Sequence, residues 1–210
     1  MKRNYLHPLP VRMWHWLNAL CFFALIVTGT QIRYRGILNW MSFRTAVDIH
    51  NICGFSLIGL FLVWFAYYAG SGMLKVYVPD LLHIGNYMLS SWKQAAYYGY
   101  GIFVGKPNPH HATLQHKFNP MQQVAYFSIM FLLLPLQIIT GVLLWDLDRF
   151  AEIIDASGGI KAVSAAHLLL TVFFTAFLFV HVYLTTLGPT PFTHIKAMIT
   201  GYEDEEEQDH

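Results

Sequence analysis

Residues 162–195 read AVSAAHLLLTVFFTAFLFVHVYLTTLGPTPFTHI, a stretch with no Asp, Glu, Lys or Arg. The two histidines well inside it, His167 and His181, stand 14 residues apart. At about 100° per residue they lie roughly 40° apart around a helix and about 21 Å apart along it. One apolar helix thus presents two imidazoles on one face, one toward each side of a bilayer. An ionisable side chain in such a segment is a functional-site candidate by default, because something must offset its desolvation. Two in register suggest two stacked cofactors.

The whole chain has the composition of a membrane protein. Of its 210 residues 55% are apolar and 12% charged, and mean hydropathy is +0.41. The charged share is about half that of ordinary soluble domains. A net charge of +1 gives a nucleic-acid partner no electrostatic footing. Sixteen Phe, twelve Tyr and six Trp suit packing against lipid or a porphyrin. The two cysteines, Cys21 and Cys53, form no CxxC or CxxCH pattern, so neither an iron–sulfur site nor covalent haem attachment is supported. Small packing residues are the ordinary role for such cysteines, with a disulfide left open. The first apolar run is long and no A-x-A-like site follows it, so it reads as a retained anchor rather than a cleaved signal.

Charge-free stretches set the spans, since a bilayer core needs about 20 apolar residues. They run over residues 13–32, 49–74, 118–145 and 162–187. The expected fold is an all-α membrane protein, a four-transmembrane-helix bundle in a single domain of residues 1–202. An acidic tail, residues 203–210, is expected to be solvated and disordered. Trp14, Trp16 and Trp145 sit near span ends, as an interfacial belt would place them. Pro135 should kink or loosen a turn of the third span.

The insert between the second and third spans is too interrupted to cross a membrane. Leu81, Leu82, Ile84, Tyr87, Met88 and Trp92 approximate a helical stripe with Pro79–Asp80 as its start, which predicts an interfacial amphipathic helix; the alternative is a partly ordered loop. With the N-terminus inside, the cytoplasmic segments hold eight basic residues (Lys2, Arg3, Arg12, Lys75, Lys93, Lys106, Lys117, Lys196). The outer loops then hold five (Arg33, Arg35, Arg44, Arg149, Lys161), which places both termini in the cytoplasm.

With that topology His15 and His181 fall near the inner face, and His50 and His167 near the outer one. Two levels, each with two histidines from different helices, are what two bis-histidine b haems require. Gly29, Gly54 and Gly141 would give flat rings room. The bland reading of any single one of these histidines is a hydrogen-bonded residue at a helix end. A zinc or copper transporter is the main rival, but it calls for carboxylate or sulfur ligands at the same depth, and the spans hold no Asp or Glu. His110, His111 and His116 cluster with Lys106 and Lys117 on the inner loop, a solvated or partner-facing segment. His7, His83, His194 and His210 join no constellation.

Two further segments carry a family likeness. HPLPVRMWHWLNALCFFALIVTG (residues 7–29) resembles the first helix of the di-haem cytochrome b subunits of membrane-bound NiFe hydrogenases. The likeness extends to the gamma subunit of formate dehydrogenase and to thiosulfate-reductase-type cytochrome b. HKFNPMQQVAYFSIMFLLLPLQIITGVLLW (residues 116–145) is similar to the third helix of that group, with an Asn before the helix and a Thr-Gly near its end. The histidines 14 apart in the fourth helix match as well. The insert and the acidic tail depart from the pattern.

The resemblance implies that His15 and His181 hold a cytoplasmic-side haem b, and His50 and His167 a periplasmic-side one. It implies a quinone, menaquinone or ubiquinone, beside the inner haem near Asn119 and, more weakly, Gln122. The simpler role of Asn119–Pro120 is a helix N-cap with Pro at N1. Arg12 and Arg33 flank the first span, where they would pair with haem propionates or snorkel to the headgroups.

The expected function is electron transfer across a bacterial or archaeal cytoplasmic membrane, between a periplasmic iron–sulfur or multihaem subunit and the quinone pool. Its docking loops would be residues 33–44 and 149–161. A stand-alone cytochrome b561-like quinone oxidoreductase, acting on superoxide or another small molecule, is the alternative. A metal transporter or membrane anchor is the alternative of another class.

Overall fold

The computed structural model describes residues 3–5, 7–79, 82–109, 118–187 and 190–204. Asp80, Leu81, His110, His111, His116, Lys117 and the tail from Glu205 to His210 lie outside the described residues. The described backbone is nearly all helical. Four helices are long and apolar enough to cross a membrane: Leu9–Arg33, Phe43–Gly70, Pro120–Trp145 and Gly159–Thr185. At about 1.5 Å per residue each exceeds a hydrocarbon core of about 30 Å. Large apolar side chains point away from the protein on these helices, among them Leu20, Phe23, Ile52, Leu169 and Phe179. Water would penalise that much exposed apolar surface, whereas lipid matches it.

The chain divides into two compact units, Met1–Leu62 with Thr140–His210, and Val63–Ile139. The first contains α1 (Leu9–Arg33), the greater part of α2 (Phe43–Gly70) and the end of α5 (Leu134–Trp145). It also holds α6 (Ala151–Ala156), α7 (Gly159–Thr185) and α8 (Thr193–Thr200).

α1, α2 and α7 begin before the charge-free stretches that mark them, while α2 ends at Gly70, short of residue 74, and the third spanning helix begins at Pro120. α1 opens four residues before its span with proline in its first turn, where the missing N–H is an orphan anyway. α2 opens six residues early, its first turn closed by the Thr45 N–H donating to Ser42 Oγ (3.1 Å). Arg44 and Asp48 ride in those first turns, so charge marked the edge of the apolar run and not the edge of the helix.

Three packing features tie this unit together. Leu143, Ile154 and Val163 form a small core in which α6 covers the junction of α5 and α7. The Trp14 indole N–H donates to the Leu60 carbonyl (2.9 Å) and Trp16 to that of Met198 (3.1 Å), so both rings tie helices together through their polar edge. Strand β1 (Arg3–Tyr5) pairs antiparallel with β2 (Tyr202–Asp204). Glu203 and Asp204, expected in a solvated tail, are therefore strand residues opposite Asn4 and Arg3. Gly201 makes this closure: its φ is +91°, and a Cβ there would stand 2.8 Å from the Tyr5 ring and 2.9 Å from the His7 carbonyl.

The second unit contains α3 (Ile84–Gly99) and α4 (Pro120–Ser128), continued by a π-helical turn (Ile129–Leu133) into α5. The wide turn lies just before Pro135, where the proline ring would otherwise crowd the carbonyl four residues back. α3 begins at Ile84, not at Pro79–Asp80. Its polarity is inverted: Trp92 is 72% exposed while Gln94 is 1% exposed, with its amide donating to the Asn108 side chain (3.2 Å). Ile84, Met88 and Trp92 make an outward apolar stripe, and Tyr87 turns inward to donate to the Pro120 carbonyl (2.7 Å). Trp64, Tyr68, Tyr77 and Phe131 form an aromatic cluster in which the Trp64 indole N–H donates to Tyr77 (3.2 Å).

Candidate functional site

α7 carries His167 and His181, and each meets a histidine from another helix. His15 of α1 stands with its ring centroid 6.1 Å from that of His181, the planes inclined by 53°. His50 of α2 stands 6.5 Å from His167, inclined by 62°. A metal–imidazole bond of about 2.0 Å plus a ring radius of about 1.1 Å places two rings on opposite sides of one ion roughly 6.2 Å apart. Both pairs have room for that arrangement. Among the described residues no group of three or more His, Cys, Asp or Glu is close enough to hold a metal. A donor set of two imidazoles suits an ion whose remaining positions belong to a planar macrocycle. It does not suit a tetrahedral zinc site.

The seam between α1 and α7 follows a seven-residue period. His15, Phe22 and Gly29 mark it on α1; His167, Phe174 and His181 mark it on α7. Phe22 meets Phe174 edge-on at 5.6 Å, and Phe174 is buried. Two aromatic rings thus meet in the interval between the histidine levels.

The two pairs are supported differently. Thr28 Oγ1 lies 2.9 Å from His50 Nδ1, and Thr140 Oγ1 lies 2.9 Å from His167 Nδ1. Beside each threonine is a glycine facing the same ring. A Cβ at Gly29 would stand 3.2 Å from His50 Cε1, and one at Gly141 would stand 3.2 Å from His167 Cε1. These glycines, expected to give flat rings room, lie against the imidazoles. Gly54, one turn beyond His50, has open space where its side chain would be. At the other level His15 meets Trp16 edge-on (5.5 Å) and His181 stacks on Phe177 (5.8 Å).

Asn119 is 2% exposed and caps α4. Its Oδ1 accepts from the Gln122 N–H (2.9 Å), while Gln122 Oε1 accepts from the Asn119 N–H (3.1 Å). Asn119 Nδ2 donates to the Tyr98 hydroxyl (3.0 Å). Burial pushes the Tyr98 hydroxyl above its ordinary pKa, against the opposing hydrogen bonds from Gln94 and Asn119. The Arg12 guanidinium donates to the Ile199 carbonyl in the last turn of α8, where the helix dipole favours a cation, and its Nε is buried without a hydrogen-bond partner among the described residues. Arg33 is exposed and lies over the Tyr34 ring, 5.8 Å from its centroid.

Sequence reasoning missed Thr28, Thr140, Tyr98 and Gln94. Thr28 and Thr140 had a readable signal, the Thr-Gly pair repeated at 28–29 and 140–141. Tyr98 and Gln94 had none, because one tyrosine and one glutamine on an amphipathic helix are unremarked until their burial is seen.

Comparison with known proteins identifies the family. The family described as prokaryotic cytochrome b561 matches residues 6–201. "Putative cytochrome YdhU" of Escherichia coli (strain K12) is 34% identical over 207 residues, covering 96% of this chain and 75% of that protein. "Probable Ni/Fe-hydrogenase 1 B-type cytochrome subunit" of the same strain is 25% identical over 157 residues, covering 68% of this chain and 60% of that protein. "Probable Ni/Fe-hydrogenase B-type cytochrome subunit" of Cupriavidus necator is 26% identical over 203 residues, covering 87% and 79%. A match over nearly the whole chain, on four apolar helices, makes this a transmembrane cytochrome b of electron transport and a member of the prokaryotic cytochrome b561 family.

Proposed function

We propose that this chain is a di-haem electron-transfer subunit linking a redox partner on the periplasmic side of the inner membrane to the quinone pool. His15 with His181 would hold one haem b, and His50 with His167 the other. The observation that carries the reading is a pair of facing imidazoles at each of two levels of α7, with ring centroids 6.1 and 6.5 Å apart, which would leave room for one iron between them. Family membership implies haem b, and when bound it supplies one-electron iron chemistry. The chain supplies the imidazole lone pairs, a fixed ring orientation at His50 and His167, and Phe22 and Phe174 to keep water out of the interval between levels.

The redox partner is inferred from the hydrogenase-subunit relatives, and it would be an iron–sulfur or multihaem protein. The quinone exchange is proposed on the cytoplasmic side, at the His15–His181 end. Asn119 and Gln122 commit polar atoms to the cap of α4 and Asn119 also to Tyr98, so a quinone carbonyl bound at Asn119 would compete with both.

Purified full-length protein should show a dithionite-reduced b-type spectrum with two haems per chain. His50→Ala and His167→Ala should each remove the same component, and His15→Ala and His181→Ala the other. A chain without b-type absorbance, or four variants in which both components fall together from folded protein, would overturn the reading.

A further inference from the structure

The two histidine pairs differ in what holds the ring edge turned away from the partner imidazole. At His50 the contact is to a threonine whose own proton is already placed. Thr28 Oγ1 lies 2.7 Å from the Ala24 carbonyl, which can only accept, so the hydroxyl donates there. Its oxygen is left to accept, and the 2.9 Å contact to His50 is therefore Nδ1–H donating to Thr28 Oγ1. That fixes the tautomer: Nδ1 carries the proton and Nε2 presents its lone pair. Thr140 Oγ1 lies at the same distance from His167 Nδ1, from a different helix; an imidazole that ligates through Nε2 carries its proton on Nδ1, so there too Nδ1–H would donate to the hydroxyl oxygen. In both cases the glycine that follows the threonine lies against the ring's Cε1, so threonine and glycine together set the ring's height and rotation. Among the described residues His15 and His181 have ring neighbours, Trp16 and Phe177, in place of such an acceptor.

We propose that Thr28 and Thr140 are positioning residues that hold the His50 and His167 imidazoles as Nδ1–H donors and lower the reduction potential of the iron those two rings bind, leaving the His15–His181 level untouched. The inference rests on the haem ligation proposed above. An imidazole whose Nδ1–H donates to an oxygen is a stronger σ-donor, and a stronger donor favours ferric over ferrous iron. Two such contacts would act on one iron and, among the described residues, none on the other, so the two levels would be chemically unequal although each offers two histidines.

The test is a redox titration of the haem-loaded full-length protein, followed by its b-type absorbance, with the His50–His167 component identified as the one missing in His50→Ala. Thr28→Val and Thr140→Val keep the side-chain volume and remove the oxygen. Each should raise the midpoint of that component alone, lowering its ferric-to-ferrous ratio at fixed ambient potential about two- to fivefold, the scale of one net hydrogen bond. Thr28→Ser and Thr140→Ser keep the oxygen and should leave the midpoint where it is. Valine variants with two haems and both midpoints unchanged would overturn the proposal, as would serine variants that shift as the valine variants do. If a valine variant loses the haem, retention of haem and midpoint by the matching serine variant still supports the oxygen's role, and loss in both overturns it. A wild-type protein without haem would overturn the ligation reading itself, which separates the two failures.

Discussion

Replacing Gly141 with alanine isolates one contact whose size can be worked out. The new methyl carbon would stand 3.2 Å from His167 Cε1, where ordinary contact begins at 3.4 Å, so the ring must retreat by at least 0.2 Å. The ring cannot swing freely, because its Nδ1 is held 2.9 Å from Thr140 Oγ1 on the same helix as the intruding methyl. Overpacking of this kind costs about 1–3 kcal/mol, while alanine over glycine in a helix returns about 1 kcal/mol. The net penalty is about 1 kcal/mol, and it falls on the imidazole's position. Haem affinity at the His50–His167 level should drop about fivefold. Gly29→Ala should do the same through His50. Gly54→Ala is the control, because nothing lies within 4 Å of its would-be Cβ; it should raise the thermal stability of the haem-free chain through the same helix preference. Haem titration of the haem-free protein, read at the Soret band, measures the affinities. Wild-type affinity and band position in both Gly29→Ala and Gly141→Ala would refute the claim that these glycines set the ring positions.

Gly201→Ala should be costlier, since its φ of +91° and a Cβ 2.8 Å from the Tyr5 ring both oppose a side chain; the left-handed backbone alone costs about 1–2 kcal/mol. Limited proteolysis should then cut the N-terminal segment faster than in the wild type. Asn119→Ala removes the cap of α4 and the donor to Tyr98, so a loss of about 1–2 kcal/mol is expected in a thermal melt. Asn119→Asp, which keeps the capping oxygen, should lose less. Tyr98 binds its proton more tightly in the folded chain than in the unfolded one. The unfolded chain releases it first, near pH 10, so this contribution to stability is complete below that pH and declines as pH rises above it. An alkaline ultraviolet titration should show one fewer late-ionising phenol in Tyr98→Phe than in the wild type.

The four spans were legible because lipid imposes a simple rule on side chains, and runs free of charge obey it. Their ends were less legible: the turns bearing Arg44 and Asp48 are helical, yet they stand beyond the apolar run. The approach of His15 to His181 and of His50 to His167 followed from depth, since helices of similar length crossing the same slab align residues at equal height. What depth does not contain is rotation about each helix. Rotation is what makes Thr28 and Thr140 partners of His50 and His167, and what carries the Arg12 guanidinium to α8. α8 and the ribbon escaped for a different reason. Their few residues carry little local preference, and their pairing joins positions 3–5 with 202–204, almost the full chain apart.

That pairing orders the birth of the molecule. During synthesis the first helix enters the membrane long before strand β2 exists, so the N-terminal end of α1, and His15 a few residues beyond it, wait for residues 199–204 to be made before β1, the His7 N–H and Arg12 find their partners. A chain arrested before residue 199 would contain all four spanning helices and every histidine of the two facing pairs, yet lack the carbonyls of Ile199 and Gly201 that secure the start of the first helix. Completion of the His15 environment in this sense marks that synthesis has passed residue 204.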